Sequence, residues 1–559
     1  MSPNNGSHVS ESGAEAGHQR STRRRWILLA ATIVVAAAAV RLMFIRAGLP
    51  GLNMASPDEG TVVPRSVRLL TSDTNFNPRW FLYPSGYMMA LAGLVTLMRP
   101  FVSPGPGLEY GGYLDIVANP DKYMLAGRAI SVIAGVVLVI ATYLIATRIC
   151  GQRWALAAAA LMALSPLAVT YSHFAVTDMA MTALLALAVW RIVVASTTNR
   201  FRDVLIGVAL LGLAVSFKYN AGLFLIPTFA WLLLRRTPTI GRRLMEMFAA
   251  GTVALASFLV ATPYALLDWK TFKRDLLKQN GIQNDGWLGY ESTPSGFIVN
   301  ITPNLTSALG AVALILIVVG IVAGLRRHST ADLLLWPYVI GTYIYISPWN
   351  ANFDRYLLPI LPILAVAAAF GARQLWVSTP ARWRRPAPAI ALVVALLAQP
   401  AVGTVRALNH LSQPERRLDA LPQIYAMIPS GTHVAYEPLT PPFLRKGLAD
   451  RLRRADGKER NHYWGVIVYP PQPGMKPHRL RDICRLKKRD LEWVMTSDDI
   501  ERRVRAAGSR YPQAVKYYDD LLAHADLKLV VPAGLGPGAK VWKLRNDFTC
   551  PLKDTALPG

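Results

Sequence analysis

The chain has 559 residues, of which 52% are hydrophobic and 17% charged, and its mean hydropathy is +0.29. This composition excludes an ordinary soluble protein, and recurrent uncharged windows of about 16–22 residues predict a polytopic membrane protein. The net charge of +26 does not indicate nucleic-acid binding, because many arginines flank apolar runs, as the positive-inside bias requires.

The N-terminal segment 1–25 is rich in Ser, Gly, His and Glu and ends in RSTRRR. It lacks an apolar face, so the sequence predicts a disordered cytoplasmic tail. The next run, WILLAATIVVAAAAVRLMFI, is too long for a secretory signal and carries Arg41 where a cleavage site would lie. We therefore predict a retained membrane helix.

Hydropathy along the chain predicts about eleven transmembrane helices. They are expected at 26–45, 127–148, 154–172, 178–196, 203–217, 220–234, 244–264, 306–325, 331–347, 356–373 and 387–405. Basic segments precede the first helix and follow at 148–153, 191–203, 235–243, 325–332 and 381–385. All of these basic segments lie on the cytoplasmic side if the N-terminus is cytoplasmic. The apolar segment 83–102 would reverse this order as a further span, so we expect it to lie along or dip into the outer interface.

The predicted organisation is a membrane domain at 26–405, with a long outer loop at 46–126, followed by an extracytoplasmic region at 406–559. The last region contains the short apolar runs HVAYEP, YWGVIVYP, LEWVMTSD and LKLVV and the helical stretch QAVKYYDDLLAHA. These patterns predict a small α/β domain. Three cysteines are too few for a disulfide framework, but Cys484 and Cys550 could form one bridge in an oxidising space.

Charged residues gather on the predicted outer face, at the ends of apolar spans. A charged residue in such a position is energetically costly, so it usually has a function. The charged residues are Asp58 and Glu59 in SPDEG, His173, Asp178, Lys218, Asp354 and Arg355. A transporter would favour acids buried within spans or similar halves, and the sequence shows no convincing repeat. A transferase acting on a lipid-linked sugar needs a carboxylate to take a proton and cations for a phosphate leaving group. The outer face supplies both.

The order of PDE, GRAISVIAG, SPLAVTYSHFAVTDMAM, FKYN and NFDRYLLPILP resembles the GT-C superfamily of membrane glycosyltransferases. The resemblance is to the protein O-mannosyltransferase and aminoarabinose transferase branch and covers most of 26–405. It implies a polyprenyl-monophosphate sugar donor, transfer with inversion at the outer face of the plasma membrane, and a small outer domain.

By this resemblance, Asp58 is the catalytic carboxylate, Glu59 the second acid of its pair, Asp178 a further acid of the active site, and Lys218 a contact for donor phosphate. From the residues themselves, Arg128 and Arg355 are additional candidates for phosphate, whereas His173 and Tyr83 are weaker candidates with interfacial roles as the alternative.

The chain departs from the aminoarabinose transferases at several positions. Thr61 stands where they have an arginine, Tyr83 stands where they have a lysine, and 265–305 contains no histidine, where they place a metal ligand. The departures leave a divalent metal open and weaken lipid A as the acceptor.

The sequence therefore predicts a multi-pass plasma-membrane glycosyltransferase with a cytoplasmic N-terminus and an extracytoplasmic C-terminal domain. The acceptor is a lipid, a protein or a glycan. A transporter or flippase of lipid-linked sugars is the alternative, and a membrane scaffold with a partner-binding outer domain is a third. The sugar, the oligomeric state and the role of the outer domain stay open.

Overall fold

The structure is a computed structural model that describes residues 8–51, 54–71, 74–290, 294–473 and 478–550. In these residues a bundle of apolar helices precedes a small mixed α/β domain. The helices of the bundle are His8–Leu42, Pro120–Cys150, Gln152–Ala163, Pro166–Ser172, Thr177–Thr198, Phe201–Phe217, Leu225–Leu234, Ile240–Ala261, Ala311–Arg327, Thr330–Ile346, Leu361–Ser378 and Pro386–Leu411. Shorter helices are Gly296–Val299 and Thr306–Leu309, and 3₁₀ helices are Tyr219–Phe224, Asp354–Ile360 and Ala381–Trp383.

A helix lies at each predicted span, but the predicted number of about eleven is not confirmed. Among the described residues, six helices are long and apolar enough to cross a membrane, or eight if each of two bent pairs counts as one span. The helices Phe201–Phe217 and Thr330–Ile346 have 17 residues each, at the short end for a spanning helix. The fold and its apolar helices indicate a multi-pass membrane protein.

Two predicted helices are broken, which hydropathy did not reveal. Gln152–Ala163 and Pro166–Ser172 meet at 57°, because Pro166 lacks the N–H that would continue the helix. Gly296–Leu309 and Ala311–Arg327 meet at 107°, and Gly310 between them has φ +92°, a conformation that glycine adopts without strain.

The first helix differs from its prediction. It begins at His8, before the predicted span, and the backbone of 8–25 is helical. Residues 1–7 of the predicted disordered tail lie outside the described residues. The stretch continues directly into an alanine-rich apolar helix, and alanine and glutamate favour helix extension. The part that is apolar enough to span is Arg24–Leu42.

The helix Leu361–Ser378 lies at the centre of the bundle, and its residues from Leu361 to Ala372 are all buried. Small residues allow the helix Ala311–Arg327 to approach it closely. A Cβ on Gly320 would lie 2.1 Å from the carbonyl oxygen of Ala367, and one on Gly371 2.0 Å from that of Leu316. Such close backbone contact is typical of helices packed in membranes.

The outer loop forms three helices, Glu59–Arg68, Gly86–Met98 and Tyr113–Ala118. Gly86–Met98 has 13 residues, too few to cross a bilayer unaided, and packs on helices Glu59–Arg68 and Pro120–Cys150. Its predicted position at the outer interface stays a prediction. A later loop adds Tyr264–Leu267 and Trp269–Asp285.

The C-terminal region contains a five-stranded sheet, and its first four strands lie at the short apolar runs that predicted an α/β domain. Its strands are β1 (His433–Tyr436), β2 (Trp464–Ile467), β3 (Trp493–Ser497), β4 (Ala525–Val531) and β5 (Ala539–Leu544), in the order β2-β1-β3-β5-β4. β1 pairs in parallel with β2 and β3, and β5 is antiparallel to β3 and β4. The helices are Arg416–Asp419, Leu421–Met427, Lys446–Asp456, Ile483–Lys487, Asp498–Ala506 and Pro512–His524. Cys484 and Cys550 form a disulfide.

Candidate active site

Asp58 and Arg355 form an ion pair that joins two distant parts of the chain. Asp58 precedes the helix Glu59–Arg68, and Arg355 lies in the first turn of Asp354–Ile360, where the chain NFDRY enters the bundle. A guanidinium nitrogen of Arg355 donates to Oδ2 of Asp58. The Asp58 side chain is 27% exposed and that of Arg355 16%. The carboxylate is thus held by one cation and remains accessible to a substrate.

A second acid–cation pair is formed by Asp178 and Lys218. Asp178 lies in the first turn of Thr177–Thr198, and Lys218 follows Phe201–Phe217 in an extended conformation that ends the helix. The Lys218 ammonium donates to Oδ1 of Asp178 at 2.5 Å, and both side chains are buried. Because the helix ends at Lys218, the charged side chain of this residue lies at an end of the helix bundle.

Two tyrosine rings connect these pairs into one group, which we call the Asp58 cluster: Asp58, Tyr83, Asp178, Lys218, Arg355 and Tyr356. The Lys218 ammonium lies 5.7 Å from the ring centroid of Tyr83 and 5.4 Å from that of Tyr356, within the range of cation–π attraction. Burial raises the pKa of the Tyr83 phenol, and the nearby carboxylate of Asp58 raises it further. Tyr83 therefore keeps its proton at neutral pH and can donate a hydrogen bond within the cluster.

Two tyrosines at this site were not singled out from the sequence. The Tyr171 hydroxyl donates to Oδ1 of Asp354 at 3.0 Å, and Tyr356 stacks edge-on against Phe353 with 5.7 Å between ring centroids. Their signal in the sequence is position alone, since Tyr171 precedes His173 in TYSHF and Tyr356 follows Arg355 in FDRY. Tyrosines at span ends are usually interfacial anchors, so nothing local distinguishes these two.

Glu59 and Arg128 pair with each other, away from the Asp58 carboxylate. Nε and Nη2 of Arg128 donate to the two oxygens of Glu59 at 2.8 Å each, and both side chains are 1% exposed. Glu59 also accepts the backbone N–H of Ala175, and Arg128 also donates to the carbonyls of Ile45 and Ala47. These contacts favour a positioning role that anchors the helix behind Asp58. The predicted catalytic part of Glu59 and the phosphate contact of Arg128 stay predictions.

His173 is buried beside the first helix. Its Nδ1 lies 2.8 Å from the carbonyl oxygen of Val169 and its Nε2 lies 2.7 Å from that of Met43. Both ring nitrogens face backbone acceptors, so the ring serves to join the segment Pro166–Ser172 to the end of the first helix. A role in the reaction stays a prediction.

The described residues do not fit a metal centre. Among them, no group of three or more His, Cys, Asp or Glu side chains could hold a metal ion. The accessible acid Asp58 and the buried acid Asp178 are each bound to a cationic side chain.

A family model described as dolichyl-phosphate-mannose-protein mannosyltransferase matches residues 120–264, which include Asp178 and Lys218 but not Asp58 or Arg355. No curated protein matches the chain in sequence.

Solved structures resemble the chain over most of its length. The oligosaccharyltransferase of Archaeoglobus fulgidus in its apo form has a TM-score of 0.56 and 13% identity, over 85% of this chain and 70% of that one. ArnT from Cupriavidus metallidurans has 15% identity, with a TM-score of 0.54 in the apo state over 93% of this chain and 98% of that one. The structure of the same ArnT bound to undecaprenyl phosphate has a TM-score of 0.53, over 92% of this chain and 98% of that one.

These proteins are GT-C glycosyltransferases, so the resemblance predicted from the motifs is confirmed, and the chain has the GT-C fold. At 13–15% identity the structural likeness defines the fold alone. The substrates of this chain have to be argued from its own residues.

Proposed function

We propose that the chain is a membrane glycosyltransferase that moves a sugar from a polyprenyl-monophosphate donor to an acceptor hydroxyl at the outer face of the plasma membrane. The observation that carries this proposal is the pair of neighbouring ion pairs, Asp58 with Arg355 and Asp178 with Lys218. One accessible carboxylate beside two cations is the set of groups that such a transfer requires.

The reaction is a single displacement. The acceptor oxygen attacks the anomeric carbon of the donor sugar, and its proton passes to Asp58. The bond between the anomeric carbon and the phosphate oxygen breaks, and polyprenyl phosphate leaves with the electron pair. Attack opposite the leaving group inverts the anomeric centre. The leaving phosphate is a stable anion, so no second acid has to protonate it.

The two cations, Arg355 and Lys218, would stabilise the leaving phosphate. The Arg355 guanidinium and the Lys218 ammonium would oppose the charge that develops on the phosphate, in a buried setting where such attraction is strong. Donor phosphate would compete with Asp58 for Arg355. Binding of the donor would then free the carboxylate to accept a proton, which couples donor binding to activation of the acceptor.

The donor class and the sidedness have separate support. The matching family model is named for dolichyl-phosphate-mannose, and one similar structure holds undecaprenyl phosphate, both of which are polyprenyl carriers. The predicted inside position of the basic loops favours an outer site. The Cys484–Cys550 disulfide favours an oxidising space for the outer domain.

The test is sugar transfer by purified protein supplied with radiolabelled polyprenyl-phosphate sugars and total cell-envelope acceptors. We expect Asp58→Asn to lower transfer by at least about 100-fold, since a general base contributes on the order of 10²–10⁴-fold. The matched control is Asp121→Asn, which removes an acid of the predicted outer loop that forms an ion pair with the exposed Arg46. Near-normal turnover by Asp58→Asn would remove Asp58 from this role. Lipid flux across liposomes without any transfer would favour a flippase.

A further inference from the structure

A cavity of about 330 Å³ lies beside the Asp58 cluster, where the membrane domain meets the outer domain. Its walls come from the chain after Trp269–Asp285, from the turn at 347–352 and from the outer domain. The side chains that matter here are Trp287, Trp349, Asp285, Asn350, Asn352 and Arg510. We call this cavity the saccharide pocket.

The polar side chains of the saccharide pocket have unused bonding capacity. Nδ2 of Asn352 donates to the carbonyl of Trp349 at 2.8 Å, and Nδ2 of Asn350 donates to the carbonyl of Asn284. Within the described part of the chain, their amide oxygens have no hydrogen-bond partner, and neither Asp285 nor Arg510 has an ion-pair partner. The pocket therefore offers acceptors and a donor to a ligand with several hydroxyl groups.

The aromatic side chains of the pocket add flat apolar surfaces. The Trp287 side chain lines the pocket and remains 39% exposed, so its ring is available to a ligand. Sugar rings have an apolar face that stacks on an indole and an edge of hydroxyls that bonds to amides, carboxylates and guanidinium groups. A lipid tail would need an apolar wall, which Asp285, Asn350 and Arg510 do not provide. The volume is at the lower end for ligand pockets, of about 300–1,000 Å³, and suits one or two sugar rings.

A wall of aromatic rings separates the saccharide pocket from the catalytic cations. The Trp349 ring lies 5.0 Å from that of Tyr356, and the Tyr356 ring lies 5.4 Å from the Lys218 ammonium. A donor sugar has to stay on its phosphate beside Lys218 and Arg355, on the far side of this wall. A ring in the pocket is therefore a different sugar unit, close to the reacting centre.

We propose that the saccharide pocket binds a sugar unit of the acceptor, so that the acceptor is a glycan or glycolipid rather than a bare protein. This inference rests on the proposed glycosyl transfer. Arg510 belongs to the outer domain and Asp285 to the membrane domain, so the two domains select the acceptor together.

The test is saturation-transfer NMR on the full chain in lipid nanodiscs, because alkyl-glycoside detergents would compete with sugar probes. The probes are the methyl glycosides of glucose, mannose, galactose and arabinose. We expect binding of at least one glycoside to the wild type and to Trp383→Ala, which removes an exposed tryptophan remote from the pocket in sequence. Trp287→Ala should bind at least about tenfold more weakly, as expected for loss of an aromatic anchor.

Two further arms distinguish the outcomes. Binding of undecaprenyl phosphate, followed by thermal shift, should be unchanged in Trp287→Ala, and a saturating polyprenyl-phosphate sugar should leave the glycoside signal in place. Loss of that signal would assign the pocket to the donor sugar and overturn the inference. Equal glycoside binding by Trp287→Ala, or none by a wild type that binds undecaprenyl phosphate, would also overturn it. Glycoside binding without undecaprenyl phosphate binding would support the pocket and contradict the proposed donor.

Discussion

At the scale of single residues, the adjacent acids Asp58 and Glu59 have opposite environments. Asp58 is partly exposed and held by Arg355, whereas Glu59 is buried with both oxygens engaged by Arg128. Successive residues at a helix start point about 100° apart, so neighbours in sequence face different surroundings. Neutralising the two carboxylates is therefore expected to have different effects. Loss of the Glu59 charge should lower stability, whereas loss of the Asp58 charge should lower sugar transfer.

Glu59→Gln should destabilise the protein by roughly 3–5 kcal/mol, because it leaves the buried Arg128 cation without its counter-charge. The measurement is thermal unfolding of the purified protein, with Asp58→Asn as the comparison. Asp58 is partly exposed, so its neutralisation should destabilise the protein less than that of the fully buried Glu59. Equal unfolding temperatures for Glu59→Gln and the wild type would contradict the positioning role.

Lys218→Gln should weaken binding of undecaprenyl phosphate by about 10–100-fold, since a hydrogen bond to a charged group contributes on the order of 1.5–3 kcal/mol. Isothermal titration of the lipid into the protein measures this loss. The control is Lys270→Gln, which removes an exposed lysine in the first turn of Trp269–Asp285. If both variants bind the lipid as the wild type does, Lys218 serves only to neutralise Asp178.

At the scale of helices and loops, the predicted site residues lie where helices begin or end. Asp58 precedes Glu59–Arg68, Asp178 opens Thr177–Thr198, Lys218 ends Phe201–Phe217, and Arg355 opens Asp354–Ile360. Helix ends place charge at the mouth of the bundle, where it can meet water or a ligand. The loops that present these ends therefore have to be held in place.

Asp115 is the centre of such a restraint in the outer loop. Burial alone would raise its pKa, but hydrogen bonds from Lys122, Tyr123 and Asn119 outweigh that effect and hold the pKa below its usual value. Because the folded pKa is lower than the unfolded one, the carboxylate stabilises the fold above about pH 4 and loses this contribution as pH falls through the folded pKa.

Asp115→Asn should therefore lower stability at pH 7 by about 2–3 kcal/mol, because buried donors lose an ionised acceptor. Thermal unfolding of the wild type and the variant at pH 7 and at about pH 3 checks the prediction. The gap between the two proteins should narrow at the lower pH, because the stabilisation by the charged carboxylate decreases once the pH falls below the unfolded pKa. A gap that is independent of pH would show that the carboxylate charge is not involved.

At the scale of the whole molecule, the proposed function depends on which side of the membrane the Asp58 cluster faces. The basic loops predict an inside N-terminus, and the cluster and the outer domain would then lie outside. Cysteines introduced at the exposed positions Glu109 and Lys458 should react with an impermeant thiol reagent in intact cells. A cysteine at Arg382, in a basic loop, should react only after permeabilisation. The reverse pattern would place the cluster inside and exclude an outer-face reaction.

The amino-acid sequence by itself determined the class of protein, the positions of the helices and the identity of the acids and cations at the mouths of the spans. These are local properties, because a long uncharged run has few options other than a membrane helix, and a charge at its end is conspicuous. The order of short motifs added the GT-C resemblance, which the fold confirms.

Only the tertiary structure decided which charges meet. Asp58 and Arg355 are 297 residues apart in sequence, and no local pattern couples them. Glu59 and Arg128 lie in different helices, and the saccharide pocket combines walls from four separated stretches of the chain. Such pairings depend on how helices pack and where they break, and both follow from side-chain shape and from residues such as Pro166 and Gly310 rather than from hydropathy.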